Sequence, residues 1–253
     1  MEHKIKKIAV LGAGTMGAQI AGHFANAGIP ALLFDINIDL ASSGIENLTK
    51  LRPAPLYKPN NSESITPCTY ENDLEKLNEV DFVLEAVAEN LDIKHTVYKN
   101  IIPHLKDSVI ISSNTSGIPL EDLIKVFPDN LKSRFLITHF FNPPRYMRLL
   151  ELVKGSKTDK NVYERLVVIG EKILGKGIVH AKDTPNFIGN RIGVHGANNA
   201  IKLAIDMGLS VEEVDKLTGT IVGRPKSGIF RTCLLYTSPS PRDQRGSRMP
   251  SSA

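Results

Sequence analysis

Three glycines between an apolar run and a helical pattern constrain the fold of this 253-residue chain more than any other feature. The segment IKKIAVLGAG has the pattern of a short buried strand, and TMGAQIAGHFANAG follows it with helical spacing. Gly12, Gly14 and Gly17 form a G-x-G-x-x-G motif at the junction. Such glycines permit a sharp turn, a close approach of the backbone to a ligand, and tight packing of helix on strand. The motif therefore predicts a βαβ unit at the start of a parallel sheet.

Strand and helix patterns continue to alternate through residues 1–183. The further strand candidates are PALLFDI, DFVLEAVAE, SVIISSNTSG, RFLITHFF, RLLELV and GIVHAKD. Helical patterns lie at 38–52, 92–105, 119–127 and 159–175, and PAPLYKPNNSES has the composition of a loop. This order predicts an α/β fold, a Rossmann-type, doubly wound, mostly parallel sheet with helices on both faces.

The pattern changes near residue 184, where we expect an all-α domain to begin. Thr184 is predicted to cap a long helix that has Pro185 at its first position and extends to about Met207, with no strand after it. The segment SVEEVDKLTG predicts one more capped helix. We therefore predict a nucleotide-type sheet domain over residues 1–183 and the start of a helical domain over residues 184–232.

Residues 233–253 change abruptly to Ser, Pro and Arg without apolar periodicity, which predicts disorder. The segment is also similar to translated sequencing-adapter sequence, so we expect it to be foreign to the natural protein. Its three arginines and one aspartate contribute +2 of the formal net charge of +4. The rest of the chain has a net charge of only +2, and its lysines are scattered along the sequence. They do not form the basic cluster that is typical of nucleic-acid binding.

The composition indicates a soluble globular protein, with 42% apolar residues and no run long enough to span a membrane. No signal peptide pattern is evident at the N-terminus. Cys68 and Cys233 are the only cysteines, which leaves neither a disulfide framework nor a cysteine metal cluster. The sequence thus predicts a cytoplasmic protein without a metal site.

Asp35 closes the second predicted strand, where a carboxylate can accept hydrogen bonds from both ribose hydroxyls of NAD. The glycine motif would place the pyrophosphate at the helix N-terminus. The same carboxylate would repel the 2′-phosphate of NADP, and no arginine follows it immediately. We predict NAD as the cofactor; the alternative is a structural glycine turn with a solvated aspartate.

Polar side chains fall at the carboxyl ends of several predicted strands, where an open parallel sheet binds its ligands. Glu85 and Glu89 end one strand, residues 113–116 another, and His139 a third. A serine–threonine turn or a helix cap is the commoner use of an Asn-Thr-Ser segment. Lys94 lies on the following helix and has two equally good interpretations. It is either a solvent-exposed residue that forms an ion pair or a residue that contacts the ribose of the cofactor.

His139 and Glu151 supply the two groups that oxidation of an alcohol needs. Imidazole has a pKa suited to taking the hydroxyl proton near neutral pH, and a carboxylate on its other nitrogen fixes the tautomer. A turn at Pro143 and Pro144 would bring the two strands together. We predict His139 as a base oriented by Glu151; the alternative is two structural polar residues at strand edges.

Asn186 and Asn190 are four residues apart near the start of the predicted long helix and would share one face. An amide on that face could bind a substrate oxygen. Capping or packing is the better explanation for Asn186, whereas Asn190 lies too far inside the helix to be a cap.

Six segments resemble the 3-hydroxyacyl-CoA dehydrogenase family in that family's order: GAGTMGAQIA, EAVAENLDIK, SSNTSGI, THFFNPPRYMRLLELV, KDTPNFIGNRIG and GRPKSGIFRT. The resemblance covers residues 5–232 and is closest to long bacterial members that carry an enoyl-CoA hydratase region. It implies NAD-dependent oxidation of a (3S)-3-hydroxyacyl-CoA to a 3-ketoacyl-CoA in fatty-acid β-oxidation.

The resemblance also implies roles for particular residues. It assigns His139 as the base and Glu151 as its partner, with Ser116 and Asn190 around the reacting oxygen. At the cofactor it places Gly12, Gly14, Gly17, Asp35, Glu89 and Lys94. It implies an acyl-CoA thioester substrate and, for complete members, a homodimer. Because the family continues beyond GRPKSGIFRT, we expect a truncated helical domain that supports little or no turnover in this chain, and the truncation puts dimerisation and a complete acyl pocket in doubt.

Two other functions are left open by the residues. A dehydrogenase of a free 3-hydroxy acid usually needs a cationic anchor for the carboxylate, and the predicted site offers no obvious arginine. A non-catalytic NAD-binding protein is the second alternative, and the intact pair of His139 and Glu151 argues against it.

Overall fold

The computed structural model describes residues 5–223 and 228–236, and the chain divides into two compact units, Met1–Ile188 and Gly189–Ala253. In the first unit, strands and helices alternate. The strands are β1 (Ile8–Leu11), β2 (Ala31–Asp35), β3 (Ile65–Thr69), β4 (Phe82–Glu85), β5 (Ile110–Ser113), β6 (Phe135–Phe140), β7 (Leu149–Lys154) and β8 (Gly177–Ala181). The helices are α1 (Thr15–Asn26), α2 (Ile38–Lys50), α3 (Leu91–Ile101), α4 (Leu120–Leu123), α5 (Asp129–Lys132) and α6 (Lys160–Val168).

The eight strands form one sheet in the order β3-β2-β1-β4-β5-β6-β7-β8. The chain starts at the centre with β1, runs outward to β3, and returns to β4 on the other side of β1, so the order reverses between β1 and β4. All described pairs are parallel except β6 with β7. The predicted Rossmann-type, mostly parallel sheet is therefore confirmed.

Two apolar layers cover the sheet because successive strand residues point to opposite faces. In β1, Ile8 and Val10 pack in the layer that contains α1 and α6, whereas Ala9 and Leu11 pack in the layer that contains α3. The same alternation runs through the neighbouring strands. Strands buried on both faces explain why the sequence shows continuous apolar runs rather than alternating ones.

In the turn between β1 and α1, close packing requires glycine at two of the three positions of the motif. Gly12 has a φ of +100°, and a Cβ there would lie 2.7 Å from the carbonyl oxygen of Ala86. A Cβ at Gly17 would lie 1.8 Å from the carbonyl oxygen of Gly12. A Cβ at Gly14 would meet nothing within 4 Å. The backbone at the start of α1 is therefore accessible to a ligand at Gly14.

The segment after α2 contains more regular structure than its composition predicts. Pro59–Ser64 form a short 3₁₀ helix in the predicted loop, and β3 follows it at the edge of the sheet. Pro67 lies within β3, which is tolerated because an edge strand needs hydrogen bonds on one side only. The segment ITPCT has too little apolar alternation to predict this strand.

The predicted start of the long helix is wrong. Helix α7 begins at Gly189, because Asn186 and Phe187 have φ values of 62° and 44°, which no right-handed helix contains. Thr184 is therefore no helix cap, and Asn186 does not share a helical face with Asn190. The Thr-Pro dipeptide instead opens a turn, in which the N–H of Phe187 donates to the carbonyl of Thr184.

The second unit contains helices α7 (Gly189–Asp206), α8 (Val211–Leu217) and α9 (Gly228–Tyr236). Helix α8 begins at the predicted cap, where Ser210 and Glu213 form a capping box. Helix α9 includes the first four residues of the tail predicted to be disordered, so that prediction is wrong for residues 233–236. Residues 237–253 lie outside the described residues. The assignments of residues 184–232 as a truncated domain and of the tail as foreign stay predictions.

Within residues 5–223 and 228–236, no helix has the length and apolar character needed to cross a membrane.

Gly17→Ala should destabilise the protein strongly, because the new methyl group would overlap a backbone oxygen that cannot move cheaply. We expect a loss of about 3 kcal/mol or more, at the upper end of the range for overpacking, and a melting temperature lower by about 6–12 °C. Gly14→Ala is the matched control and should stay within about 1 kcal/mol of the wild type. Thermal unfolding followed by circular dichroism measures both, and equal melting temperatures would contradict the packing argument.

Candidate active site

His139 and Glu151 lie directly opposite each other on the antiparallel strands β6 and β7. His139 Nδ1 is 2.7 Å from Glu151 Oε2, and the two side chains are 5% and 0% exposed. Since a carboxylate only accepts, this hydrogen bond requires the proton on Nδ1, which in the neutral tautomer leaves Nε2 as an acceptor. The structure therefore brings together the two residues predicted as base and orienting partner.

Ser116 lies in the loop after β5 and places its Oγ 3.1 Å from His139 Nε2. Its backbone N–H donates to Glu89 Oε1 at 2.9 Å. The Ser116 side chain thus contacts the nitrogen of His139 that does not bind Glu151. Three strands contribute to this arrangement, with Ser116 following β5, His139 in β6 and Glu151 in β7.

Glu89 holds the loop that carries Ser116. Its carboxylate accepts from Thr115 Oγ1 at 2.5 Å as well as from Ser116, and Lys94 Nζ lies 3.2 Å away. Burial raises the pKa of the Glu89 carboxyl, but the hydrogen bond from Thr115 and the Lys94 ammonium outweigh it, so that the pKa lies below its ordinary value. Glu89 is therefore an acceptor at neutral pH, and this loop support would be lost as the carboxyl is protonated in acid.

Lys94 is buried, so its interpretation as a solvated residue is wrong. Its side chain is 1% exposed, and Nζ lies 2.6 Å from Glu85 Oε1. Glu85 is itself fully buried and accepts three more hydrogen bonds, from Tyr98, Ser113 and the N–H of Val87. Burial and the neighbouring Glu85 raise the pKa of Tyr98 well above its ordinary value, which keeps that hydroxyl a donor.

The Asn-Thr-Ser segment also makes the turn expected of such residues. Thr115 Oγ1 accepts from the N–H groups of Gly117 and Ile118 at 3.3 and 3.0 Å. Asn114 Oδ1 accepts from the N–H of Phe140 at 2.9 Å, which ties the end of β5 to the end of β6. The segment is thus a structural turn and the support of Ser116 at the same time.

Asp35 is fixed at the glycine turn by two backbone donors. Its oxygens accept from the N–H groups of Ala13 and Ile36, both at 2.7 Å. Each carboxylate oxygen keeps a second lone pair for a hydroxyl donor. With the open backbone at Gly14 and no acidic residue in the first turn of α1, these residues fit the ribose and pyrophosphate of a dinucleotide.

Several residues at the site were not predicted. Glu85 was noted only as a polar strand end, although a carboxylate inside the apolar run DFVLEAV, nine residues before Lys94, is a signal for a buried ion pair. Phe187 packs its ring 5.5 Å from the ring of His139. The N–H of Ile188 donates to Glu151 Oε1 at 3.0 Å, and a backbone donor of this kind leaves no signal in the sequence.

Asn190 is the predicted site residue that lies outside the first unit. It belongs to α7 in the second unit, and its role at the reacting oxygen stays a prediction.

Comparison with known proteins agrees with the Rossmann-type fold. The 3-hydroxyacyl-CoA dehydrogenase NAD-binding domain family matches residues 7–184. A probable 3-hydroxyacyl-CoA dehydrogenase of Bacillus subtilis is 43% identical over 92% of this chain. A putative fatty acid oxidation complex trifunctional enzyme of Rickettsia felis is 44% identical over 91% of it. The chain spans only 32% and 33% of the lengths of these two relatives.

The fold also matches a solved member. The crystal structure of (S)-3-hydroxybutyryl-CoA dehydrogenase from Ralstonia eutropha aligns with a TM-score of 0.76 and 30% identity, covering 88% of this chain and 79% of that one. The predicted cofactor, NAD, is that of the matched domain. The chain belongs to the 3-hydroxyacyl-CoA dehydrogenase family of NAD-dependent oxidoreductases, and residues 7–184 are its NAD-binding domain.

Proposed function

We propose that the natural protein oxidises a (3S)-3-hydroxyacyl-CoA thioester to the 3-ketoacyl-CoA with NAD, in fatty-acid β-oxidation. The buried pair of His139 and Glu151, with Ser116 on the other imidazole nitrogen, carries this proposal. Strands β5 and β6, which precede Ser116 and bear His139, end at the same edge of the sheet as β1 and its glycine turn, because β1, β4, β5 and β6 are parallel. The antiparallel strand β7, which bears Glu151, begins at that edge. Ligands of such sheets bind at that edge.

His139 is the base in this proposal. Its Nε2 removes the proton of the 3-hydroxyl group, and the Glu151 carboxylate stabilises the resulting imidazolium through Nδ1. Ser116 Oγ, 3.1 Å from Nε2, orients the hydroxyl oxygen. Asn190 is proposed to bind the same oxygen from α7. NAD, when bound, accepts the hydride from the hydroxyl carbon.

Of the residues on the cofactor side, most are proposed to contact NAD directly, and one is proposed to act through a neighbour. Gly12, Gly14 and Gly17 shape the pyrophosphate turn, and Asp35 accepts from the adenosine ribose. The Glu89 side chain is 46% exposed, and Glu89 is proposed to bind the nicotinamide ribose. Lys94 is buried between two carboxylates, so we propose that it acts on the cofactor through Glu89.

Acetoacetyl-CoA and free acetoacetate distinguish the proposed reaction from its alternatives when each is reduced with NADH. The assay uses the chain as given and the chain extended after residue 232 by the C-terminal helices of a relative. Turnover of the thioester alone supports the proposal, turnover of the free acid favours a 3-hydroxy-acid dehydrogenase, and NADH binding without turnover in both forms favours a non-catalytic protein.

The protein should bind NADH tightly and NADPH weakly, because Asp35 can accept from a ribose diol but repels a phosphate dianion. Asp35→Asn should shrink this discrimination by weakening NADH binding and relieving the repulsion. Titration of nicotinamide fluorescence with both cofactors measures the two affinities. Equal affinities for the wild-type chain would refute the role of Asp35.

His139→Ala should lower turnover of acetoacetyl-CoA by about 10²–10⁴-fold in the extended chain, the usual contribution of general acid–base catalysis. Glu151→Gln should also be slow, because an amide neither fixes the tautomer nor stabilises the cation. NADH affinity should be unchanged in both variants. His180→Ala, which removes an exposed histidine from β8, is the control and should turn over normally. Near-normal turnover by His139→Ala would show that another group moves the proton.

A further inference from the structure

Residues 184–188 form a strained turn directly after β8. Asn186 and Phe187 have φ values of 62° and 44°, in the left-handed region that L residues other than asparagine and aspartate rarely occupy. Asparagine tolerates this conformation, but a bulky phenylalanine does not adopt it without compensation. Such strain persists only where surrounding contacts maintain it, so the contacts of this turn indicate what it is for.

The first of these contacts is aromatic. Phe187 is 2% exposed, and its ring lies 5.5 Å from the His139 ring at an interplanar angle of 60°. Phe141 contacts the same imidazole, with centroids 4.6 Å apart at 63°. Tilted and edge-on pairs at these distances are favourable. Two phenyl rings thus restrict the imidazole plane, and one of them is held by the strained turn.

The second contact is a backbone hydrogen bond. The N–H of Ile188 donates to Glu151 Oε1 at 3.0 Å, while Glu151 Oε2 binds His139 Nδ1 at 2.7 Å. Glu151 is completely buried, and a buried carboxylate depends on donors for both oxygens. With separate partners on its two oxygens, the carboxylate cannot rotate without breaking one of these bonds.

We propose that the turn at Asn186 and Phe187 positions His139. The Phe187 ring packs directly against the imidazole, and the Ile188 N–H fixes the Glu151 carboxylate that binds Nδ1. Phe187 is therefore a positioning residue of the active site. Its catalytic significance rests on the proposed function, in which His139 is the base, whereas the geometric coupling can be tested without turnover.

The coupling is tested by hydrogen exchange in the chain as given, with two variants at one position. Asn186 is exposed, so Asn186→Ala and Asn186→Gly differ chiefly in their tolerance of a positive φ. NMR follows exchange of the Ile188 amide and of the His139 Nδ1–H, the latter assigned by its absence in His139→Gln. Both protons should exchange roughly five- to thirtyfold faster in Asn186→Ala, the factor that corresponds to the left-handed penalty of an ordinary L residue. Neither should change in Asn186→Gly.

A second pair of variants separates positioning from stability. Phe187→Leu should accelerate exchange of the His139 Nδ1–H, and in the extended chain it should lower kcat by about ten- to a hundredfold, as misplacement by about 1 Å does, while NADH affinity is unchanged. Phe127→Leu is the control, since Phe127 is 3% exposed and packs on Tyr98 and Phe135. It should lose a similar amount of stability while leaving His139 exchange and kcat unaltered.

The proposal is overturned by equal exchange in Asn186→Ala and Asn186→Gly, or by faster exchange of Ile188 with an unchanged His139 proton. Equal effects of Phe187→Leu and Phe127→Leu on the His139 proton also overturn it. If the exchange results hold but His139→Ala keeps its turnover, the turn still positions the imidazole and only the proposed function fails.

Discussion

The buried carboxylate of Glu85 is the interaction on which the polar side of the site depends. A carboxylate in the centre of a sheet is tolerated only when donors surround it, and here Lys94, Tyr98, Ser113 and the N–H of Val87 all donate to it. These donors come from α3, the end of β5 and the loop after β4. One buried charge therefore fixes α3 against two strand ends, and through Lys94 it also places the carboxylate that holds the loop of Ser116.

The reversal of direction between β6 and β7 creates the second half of the site. A parallel connection would need a crossover of a dozen or more residues, and His139 could not then face a residue only twelve positions away. The antiparallel register places His139 opposite Glu151 on the same face of the sheet, where opposed side chains are close neighbours. One antiparallel pair in an otherwise parallel sheet thus builds the proposed base and its partner into buried strands.

The features that the sequence predicted well are those with a local physical signature. The glycine turn, the alternation of strands and helices, and the capping box at Ser210 all follow from short-range sterics and hydrogen bonding. The start of α7 was predicted four residues too early, because proline and threonine favour a helix start but tertiary contacts hold Phe187 in a left-handed turn. The sequence could not decide whether Lys94 is a solvated residue or a cofactor contact. Its position along a helix does not show whether a neighbouring carboxylate is buried.

The sequence by itself determined the fold class and the cofactor and supplied the side chains of the proposed site, because each depends on residue type and on spacing along a strand or helix. Only the tertiary structure decided which of these side chains touch. It placed Ser116 on His139, buried Lys94 between two carboxylates, and brought a backbone N–H of residue 188 to Glu151. These contacts join residues 5 to 37 positions apart, and their distances follow from strand register and loop packing, which no local pattern encodes.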